Sequence, residues 1–273
     1  MQTGSKISIL GCGWLGLPLA LRFLEAGYQV KGSTTSPARL PELAQQGIHA
    51  SLINLQDSPS PGDLAAFIQA DVLVISFPPG LRSGKGEAYL EQIGQLAAAL
   101  QQVATPHILF ISSTSVYPER KQVVREAGEG QDGPGNHVLF QAERMLAALP
   151  GKALTTVYLA GLVGGTRHPG RFLAGKTGVP NPLAPVNLIH LDDCVEILYR
   201  IVQQHKWPKR FNACADAHPC RKEFYTAAAL SLGLPPPAFA APDPADSFKI
   251  VSNEPLKQEL NYVFKFPDPM SFF

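Results

Sequence analysis

Ile7-Ser8-Ile9-Leu10-Gly11-Cys12-Gly13-Trp14-Leu15-Gly16 is the stretch on which the reading of this chain turns. A short apolar run, the size of a buried strand, ends in a glycine. The glycines at 11, 13 and 16 then match the pattern G-x-G-x-x-G. A helix is predicted from Leu15 to Ala26, with Leu15, Leu19, Leu21, Phe23 and Leu24 apolar and Gly27 as its stop. Strand, glycine turn and helix in this order are the context in which the pattern binds a dinucleotide. One glycine makes the tight turn, the next lets the backbone approach a pyrophosphate, and the third lets helix and strand pack closely. The helix N-terminus offers free N–H groups and the positive end of its dipole to the phosphates. Gly11, Gly13, Trp14, Leu15 and Gly16 are therefore the first candidate cofactor contacts.

The same alternation continues outward. Strands are predicted at Tyr28–Gly32, Ile48–Leu55, Asp71–Phe77, His107–Ile111 and Ala153–Leu159. Helices are predicted between them at Ala38–Gln46, Leu64–Gln69, Glu87–Val103 and Leu139–Leu149. Strands alternating with helices, and apolar throughout rather than on every second residue, predict a doubly wound parallel sheet with helices on both faces. The expected class is thus a Rossmann-type α/β fold. After residue 160 prolines take over from glycines, as in Pro180, Pro182 and Pro185 and then Pro235-Pro236-Pro237. This texture divides the chain into a dinucleotide-binding core at 1–160 and a mixed segment at 161–273. The latter completes the core and forms a small substrate cap.

An NAD site places an acid at the end of the second strand, where it holds the ribose 2′-OH. Here that region is Lys31-Gly32-Ser33-Thr34-Thr35-Ser36-Pro37-Ala38-Arg39, with hydroxyls and two cations and no acid. Such a set suits a 2′-phosphate, which a carboxylate would repel. NADP is the expected cofactor, with NAD as the alternative, and Ser33, Thr34 and Arg39 are the expected contacts. Ligands of such sheets lie beyond the carboxyl ends of the strands. That adds Leu55, Phe77, Pro78, Pro79 and Ser112 from the loops after later strands.

Composition narrows the partners. The 273 residues carry 23 Lys and Arg against 22 Asp and Glu, a net charge of +1, without the basic excess of a nucleic-acid binder. The apolar fraction of 45% is enough for a sizeable core. No apolar run approaches the length of a membrane helix, and Met1–Lys6 is polar, unlike a signal peptide. Cys12, Cys194, Cys214 and Cys220 form no Cys-x-x-Cys pair, so neither a metal site nor a disulfide framework is expected. The expectation is a cytoplasmic protein with a small-molecule substrate, no nucleic-acid or membrane partner, and a possible homodimer.

Along nearly its whole length the chain resembles the extended short-chain dehydrogenase/reductases, in their epimerase/dehydratase branch. The resemblance rests on the glycine loop, on Ile111-Ser112-Ser113-Thr114-Ser115-Val116-Tyr117 and on Ala142-Glu143. It continues through Ala160-Gly161-Leu162-Val163-Gly164, Asn187-Leu188-Ile189-His190-Leu191-Asp192-Asp193 and Phe211-Asn212-Ala213. It implies an oxidoreductase or epimerase acting on a sugar-like or nucleotide-linked substrate. Ser113 stands where the family hydrogen-bonds the substrate oxygen. Thr114, Arg171, Asn187 and His190 are the implied substrate contacts, although Asp192 or Asp193 reads equally well as a helix cap.

The chain departs from the family where protons move. Active members carry Tyr-x-x-x-Lys, the Lys bringing the phenol down from an ordinary pKa near ~10. Counting back from Ala142-Glu143 puts Gly135 at the Tyr position and Leu139 at the Lys position. Tyr117 and His137 are the candidate replacements as acid/base. The departure leaves a second expectation open, a non-catalytic protein that senses NADP(H).

Overall fold

The structure is a computed structural model that describes residues 4–57, 60–80, 84–126 and 137–273. The chain forms two compact units. The first comprises Met1–Ser112, Pro134–Val157 and Leu198–Arg210, and carries most of the central sheet.

Its strands are β1 Lys6–Leu10, β2 Gln29–Thr34, β3 His49–Leu52, β4 Val72–Ile75 and β5 His107–Ser113. β6 is a short strand, Gln122–Val124, outside this sheet, and β7 is Ala153–Leu159. With β10, Lys209–Ala213, the sheet has seven strands in the order β10-β7-β5-β4-β1-β2-β3. β1 pairs in parallel with β2 and β4, β2 with β3, and β4 with β5. The chain therefore winds outward from β1 in one direction, crosses back, and winds outward in the other. That reversal opens the cleft in which such sheets bind ligands. β4 shows why the sheet forms: Val72, Leu73, Val74 and Ile75 are all fully buried, each stabilising by roughly 1.5–3 kcal/mol relative to exposure.

The helices of this unit are α1 Gly16–Glu25, α2 Leu40–Gln45, α3 Pro61–Ile68, α4 Gly86–Leu100 and α5 Val138–Ala147. α1 buries Leu19, Ala20 and Phe23 against the sheet and stops before Gly27, where the sequence predicts its end. Phe23 meets Tyr28 edge-on at 5.3 Å and Tyr199 at 5.8 Å, with Arg22 stacked over Tyr199. In α4, Tyr89, Ile93, Leu96, Ala97 and Leu100 form the buried stripe that helical periodicity requires. Lys31 donates to the carbonyls of Ala66 and Gln69, at 2.6 and 3.1 Å, and so caps the C-terminus of α3.

The second unit comprises Ser113–Gly133, Tyr158–Ile197 and Phe211–Phe273. It contains β8 Gly161–Val163 paired in parallel with β9 Leu188–His190, and β6 paired in parallel with β11 Lys249–Val251. Its helices are α6 Gly170–Leu173, the first turns of α7 Leu191–Gln203, α8 Arg221–Leu230 and α9 Glu254–Leu260. Val163, Val186, Leu188, Ala215, Phe224 and Phe272 make its core, with Phe266, Met270 and Phe273 packed against them. Asp193 fastens the C-terminal segment. Its fully buried carboxylate accepts from the Tyr262 hydroxyl at 2.6 Å and from the N–H groups of Lys265 and Phe266 at 2.8 and 3.0 Å.

Candidate functional site

The glycine loop joins β1 to α1 at the carboxyl end of the sheet. Gly11 has φ of 104°, and a Cβ there would press within 3.2 Å of the backbone of Ser76 and Phe77. A Cβ on Gly16 would collide with the carbonyl oxygen of Gly11, so only glycine lets α1 start this close to β1. Gly13 is different. Nothing lies within 4 Å of where its Cβ would project. The loop thus leaves an open cradle beside a helix N-terminus with no acid in its first turn, the geometry that takes a pyrophosphate. β2 holds the loop in place: Gly11 N–H donates to Ser33 Oγ at 2.9 Å, and Cys12 N–H to the Ser33 carbonyl at 2.8 Å. Burial pushes the Cys12 thiol up to about 12, against a smaller downward pull from Arg39. Cys12 is a packing group in the loop rather than a nucleophile.

Above the loop lies a cavity of about 410 Å³. Of the residues singled out from the sequence, Gly11, Gly13, Ser33, Thr34, Arg39, Leu55, Phe77 and Pro78 line it. Trp14, Leu15, Gly16, Pro79 and Ser112 are not in that lining. Leu15 is buried below the loop. Ser112 is also buried, and its hydroxyl has no hydrogen-bond partner among the described residues. Arg39 follows β2, with its Nε 3.4 Å from Glu42 and about a third of its side chain exposed. Lys31, the other cation of that stretch, serves α3 instead. A second cation reaches the cavity from elsewhere: Lys85, just before α4, lays its stem over Gly80 and lines the pocket. Among the described residues, Arg39 and Lys85 are the charged ones of the lining, and none is a carboxylate.

Sequence reasoning missed Lys85 and two amide side chains, Asn54 and Gln92, that also line the cavity. Lys85 had a faint signal, a lysine between glycines ahead of the long helix. Gln92 had none, because Gln95 and Gln101 nearby read the same way and face solvent.

The remaining candidates are found on other elements. Ser113 ends β5 and its Oγ accepts from Ser115 N–H at 3.1 Å, capping the short 3-10 turn Thr114–Val116. Thr114 is buried in that turn. The Tyr117 hydroxyl donates to Asn212 Oδ1 at 2.7 Å, and its ring packs on Tyr158 at 5.5 Å. Asn212 N–H in turn donates to Glu126 Oε1, whose carboxyl burial pushes up from the usual range. Asn187 lends its side chain to β11, donating to the Lys249 carbonyl at 2.9 Å and accepting from Val251 N–H at 2.8 Å. The His190 ring sits 4.0 Å from that of Phe266, its Nδ1 accepts from Asp192 N–H, and burial lowers its pKa. Arg171 is exposed on α6. His137 caps α5, its Nδ1 accepting from Leu139 N–H at 3.2 Å, and Leu139 is buried. Gly135, at the family's Tyr position, lies outside the described residues.

No described group of three or more His, Cys, Asp or Glu could hold a metal ion. Among the described residues no helix is long and apolar enough to cross a membrane.

Known proteins agree with this geometry. Residues 6–131 match the family of the NAD binding domain of 6-phosphogluconate dehydrogenase. Protein YeeZ of Escherichia coli strain K12 is 38% identical over 272 residues, covering 97% of each chain. UDP-glucose-4-epimerase of Stenotrophomonas maltophila, solved with bound NAD and formylated UDP-arabinopyranose, superposes with a TM-score of 0.76. It is 14% identical, over 98% of this chain and 95% of that one. Human epimerase family protein SDR39U1, solved with NADPH, gives a TM-score of 0.71 at 15% identity, over 98% and 97% of the two chains. The fold is thus that of the NAD(P)-binding epimerase/dehydratases.

Proposed function

The chain belongs to the family of Escherichia coli protein YeeZ, and on that premise we propose that it is an NADP(H)-binding oxidoreductase or epimerase. Its substrate in this reading is a small sugar-like or nucleotide-linked molecule. One observation carries the cofactor choice: among the described residues the cavity lining has two cations, Arg39 and Lys85, and no carboxylate. An NAD site presents an acid to the ribose 2′-OH. This lining offers Ser33, Thr34 and Arg39 at the end of β2, which favours a 2′-phosphate.

Bound there, NADPH supplies a hydride to a substrate carbon. Gly13 and the α1 N-terminus take the pyrophosphate, and Arg39 takes the 2′-phosphate. Ser113 orients the substrate oxygen, with Thr114 and Arg171 as further contacts. A homodimer in the cytoplasm, free of nucleic acid and membrane, completes the proposal.

A second reading, a sensor of NADP(H) without turnover, is favoured by two observations. A buried leucine, Leu139, stands at the family's Lys position. The Tyr117 hydroxyl is tied to Asn212.

Fluorescence titration with NADPH and NADH tests the cofactor, with tighter NADPH binding expected. An NADH preference, or no binding of either, refutes the proposal. A panel of sugar nucleotides and small carbonyl compounds, followed at the nicotinamide absorbance, separates the two readings. Turnover supports the enzyme. Tight NADPH binding with no turnover across the panel supports the sensor.

A further inference from the structure

The backbone of Lys249 is fixed from both sides. β11 pairs with β6 in parallel, with Lys249 opposite Gln122, and the Asn187 amide donates to the Lys249 carbonyl at 2.9 Å. The side chain runs to the loop after β5, where Nζ donates to the Tyr117 carbonyl at 2.7 Å. Tyr117 closes the 3-10 turn Thr114–Val116, which opens at Ser113. An ammonium has three N–H groups to spend. Among the described residues, the Tyr117 carbonyl is the acceptor that Nζ meets, and no carboxylate pairs with it. Lys257 and Lys265 of the same unit lie nearer solvent, yet they meet Asp216 and Asp192 at 3.0 and 2.6 Å. Lys249 is half-buried, and burial lowers its pKa against a weaker upward pull from exposed Glu119. A cation drawn this far from water with donors unspent is unfavourable unless an anion meets it.

We propose that Lys249 binds an anionic group of the substrate, a carboxylate or a phosphate, beside the oxygen that Ser113 orients. The substrate is then an acid rather than a neutral sugar or carbonyl compound. The inference rests on the reading of Ser113 as a substrate contact. A 3-10 turn rises about 2 Å per residue, so its Ser113 and Tyr117 ends stand roughly 8 Å apart. A substrate whose acidic group lies one sugar ring from the reacting carbon spans that interval. A neutral substrate in the same place would cover the ammonium without supplying an acceptor of matching charge.

Competitive acetylation of the whole chain by acetic anhydride, read lysine by lysine with peptide mass spectrometry, tests this. The probes are sodium phosphate, sodium glucuronate and glucose, with sodium chloride holding the ionic strength equal. A bound anion keeps the amine protonated, and a pKa raised by about one unit slows Lys249 acetylation about tenfold. Glucose leaves the rate unchanged, and exposed Lys176 is the internal control, slowed by none of the three. Protection by phosphate alone or by glucuronate alone names the anion, and either result supports the inference. Protection by neither, or by glucose as well, overturns it. Calorimetry then compares the protecting anion with the wild type and with Lys249→Gln. At an unchanged thermal unfolding midpoint the variant is expected to bind it about tenfold or more weakly. Undiminished binding overturns the inference, and if the variant does not fold the acetylation pattern decides alone. NADPH binding without protection of Lys249 removes this inference only, whereas protection in a chain that binds no NADPH removes the cofactor reading and leaves the anion at Lys249.

Discussion

Replacing Arg39 by alanine separates the two nicotinamide cofactors. In the NADP(H) reading the Arg39 guanidinium meets the 2′-phosphate, a group NADH lacks. Two unit charges about 4 Å apart attract by roughly 4 kcal/mol at an effective dielectric of ~20. Two features reduce that figure. Arg39 has 35% of its side chain in solvent, and its Nε already faces Glu42 at 3.4 Å, so part of the attraction replaces an existing one. The net loss is that of a charged hydrogen bond, about 1.5–3 kcal/mol. At 1.4 kcal/mol per decade this is a roughly tenfold to hundredfold weaker NADPH complex. NADH affinity stays within about twofold, because the pyrophosphate cradle at Gly13 and the α1 N-terminus is untouched. The NADPH-to-NADH ratio is read by paired fluorescence titrations of wild type and Arg39→Ala at low and at molar salt. The ratio of the wild type also shrinks as salt rises, since the contact is partly exposed. A variant that loses both cofactors equally, or neither, refutes the placement of the 2′-phosphate at Arg39.

Asp193→Ala leaves the Tyr262 hydroxyl and two backbone N–H groups without their buried acceptor, and is expected to destabilise by about 3 kcal/mol. Urea unfolding measures this, and a loss under about 1 kcal/mol would show that the clamp on the C-terminal segment contributes little. Burial lowers the pKa of His190 from 6.5. The folded state therefore binds fewer protons than the unfolded state below about pH 6.5, and the His190 contribution is complete above that pH and declines as pH falls through the window. The difference in unfolding free energy between wild type and His190→Gln should shrink from about pH 7.5 to about pH 5.5. A difference independent of pH would contradict the burial argument.

The sheet was legible in the sequence because its strands are apolar on both faces and its helices end in glycines. β4 is the clearest case, four consecutive residues with no exposure. The glycine loop was legible for the same reason, since packing at Gly11 and Gly16 excludes other residues. Lys31 was misleading. Its sequence neighbourhood suits a phosphate, but its ammonium lies among the carbonyls ending α3, a relation between positions far apart in the chain. Gln92 was invisible for a related reason: which glutamine of a glutamine-rich helix faces the cavity depends on the rotation of α4 against the Leu55 turn. The short strands β6, β8, β9 and β11, three residues each, are too brief to carry a periodicity.

The substrate-side residues raise a different question, because several that resemble catalytic groups are built into the scaffold. For Tyr117 to act as an acid, its hydroxyl must leave Asn212 Oδ1. Asn212 is fully buried, and its Nδ2 already lacks a partner among the described residues. Removing the phenol would leave the whole amide bare, at about 1–3 kcal/mol for the oxygen alone. Asn187 is in the same position, since turning its amide towards a substrate would strip two backbone bonds from β11. Residues with this much structure resting on them hold the architecture even where their chemistry would allow more. Ser113 is lightly committed by comparison, with one exposed bond to the turn after it. Substrate contacts in this unit are therefore best sought at Ser113 and at exposed Arg171. Tyr117 could give up its proton only by breaking this hydrogen bond to Asn212.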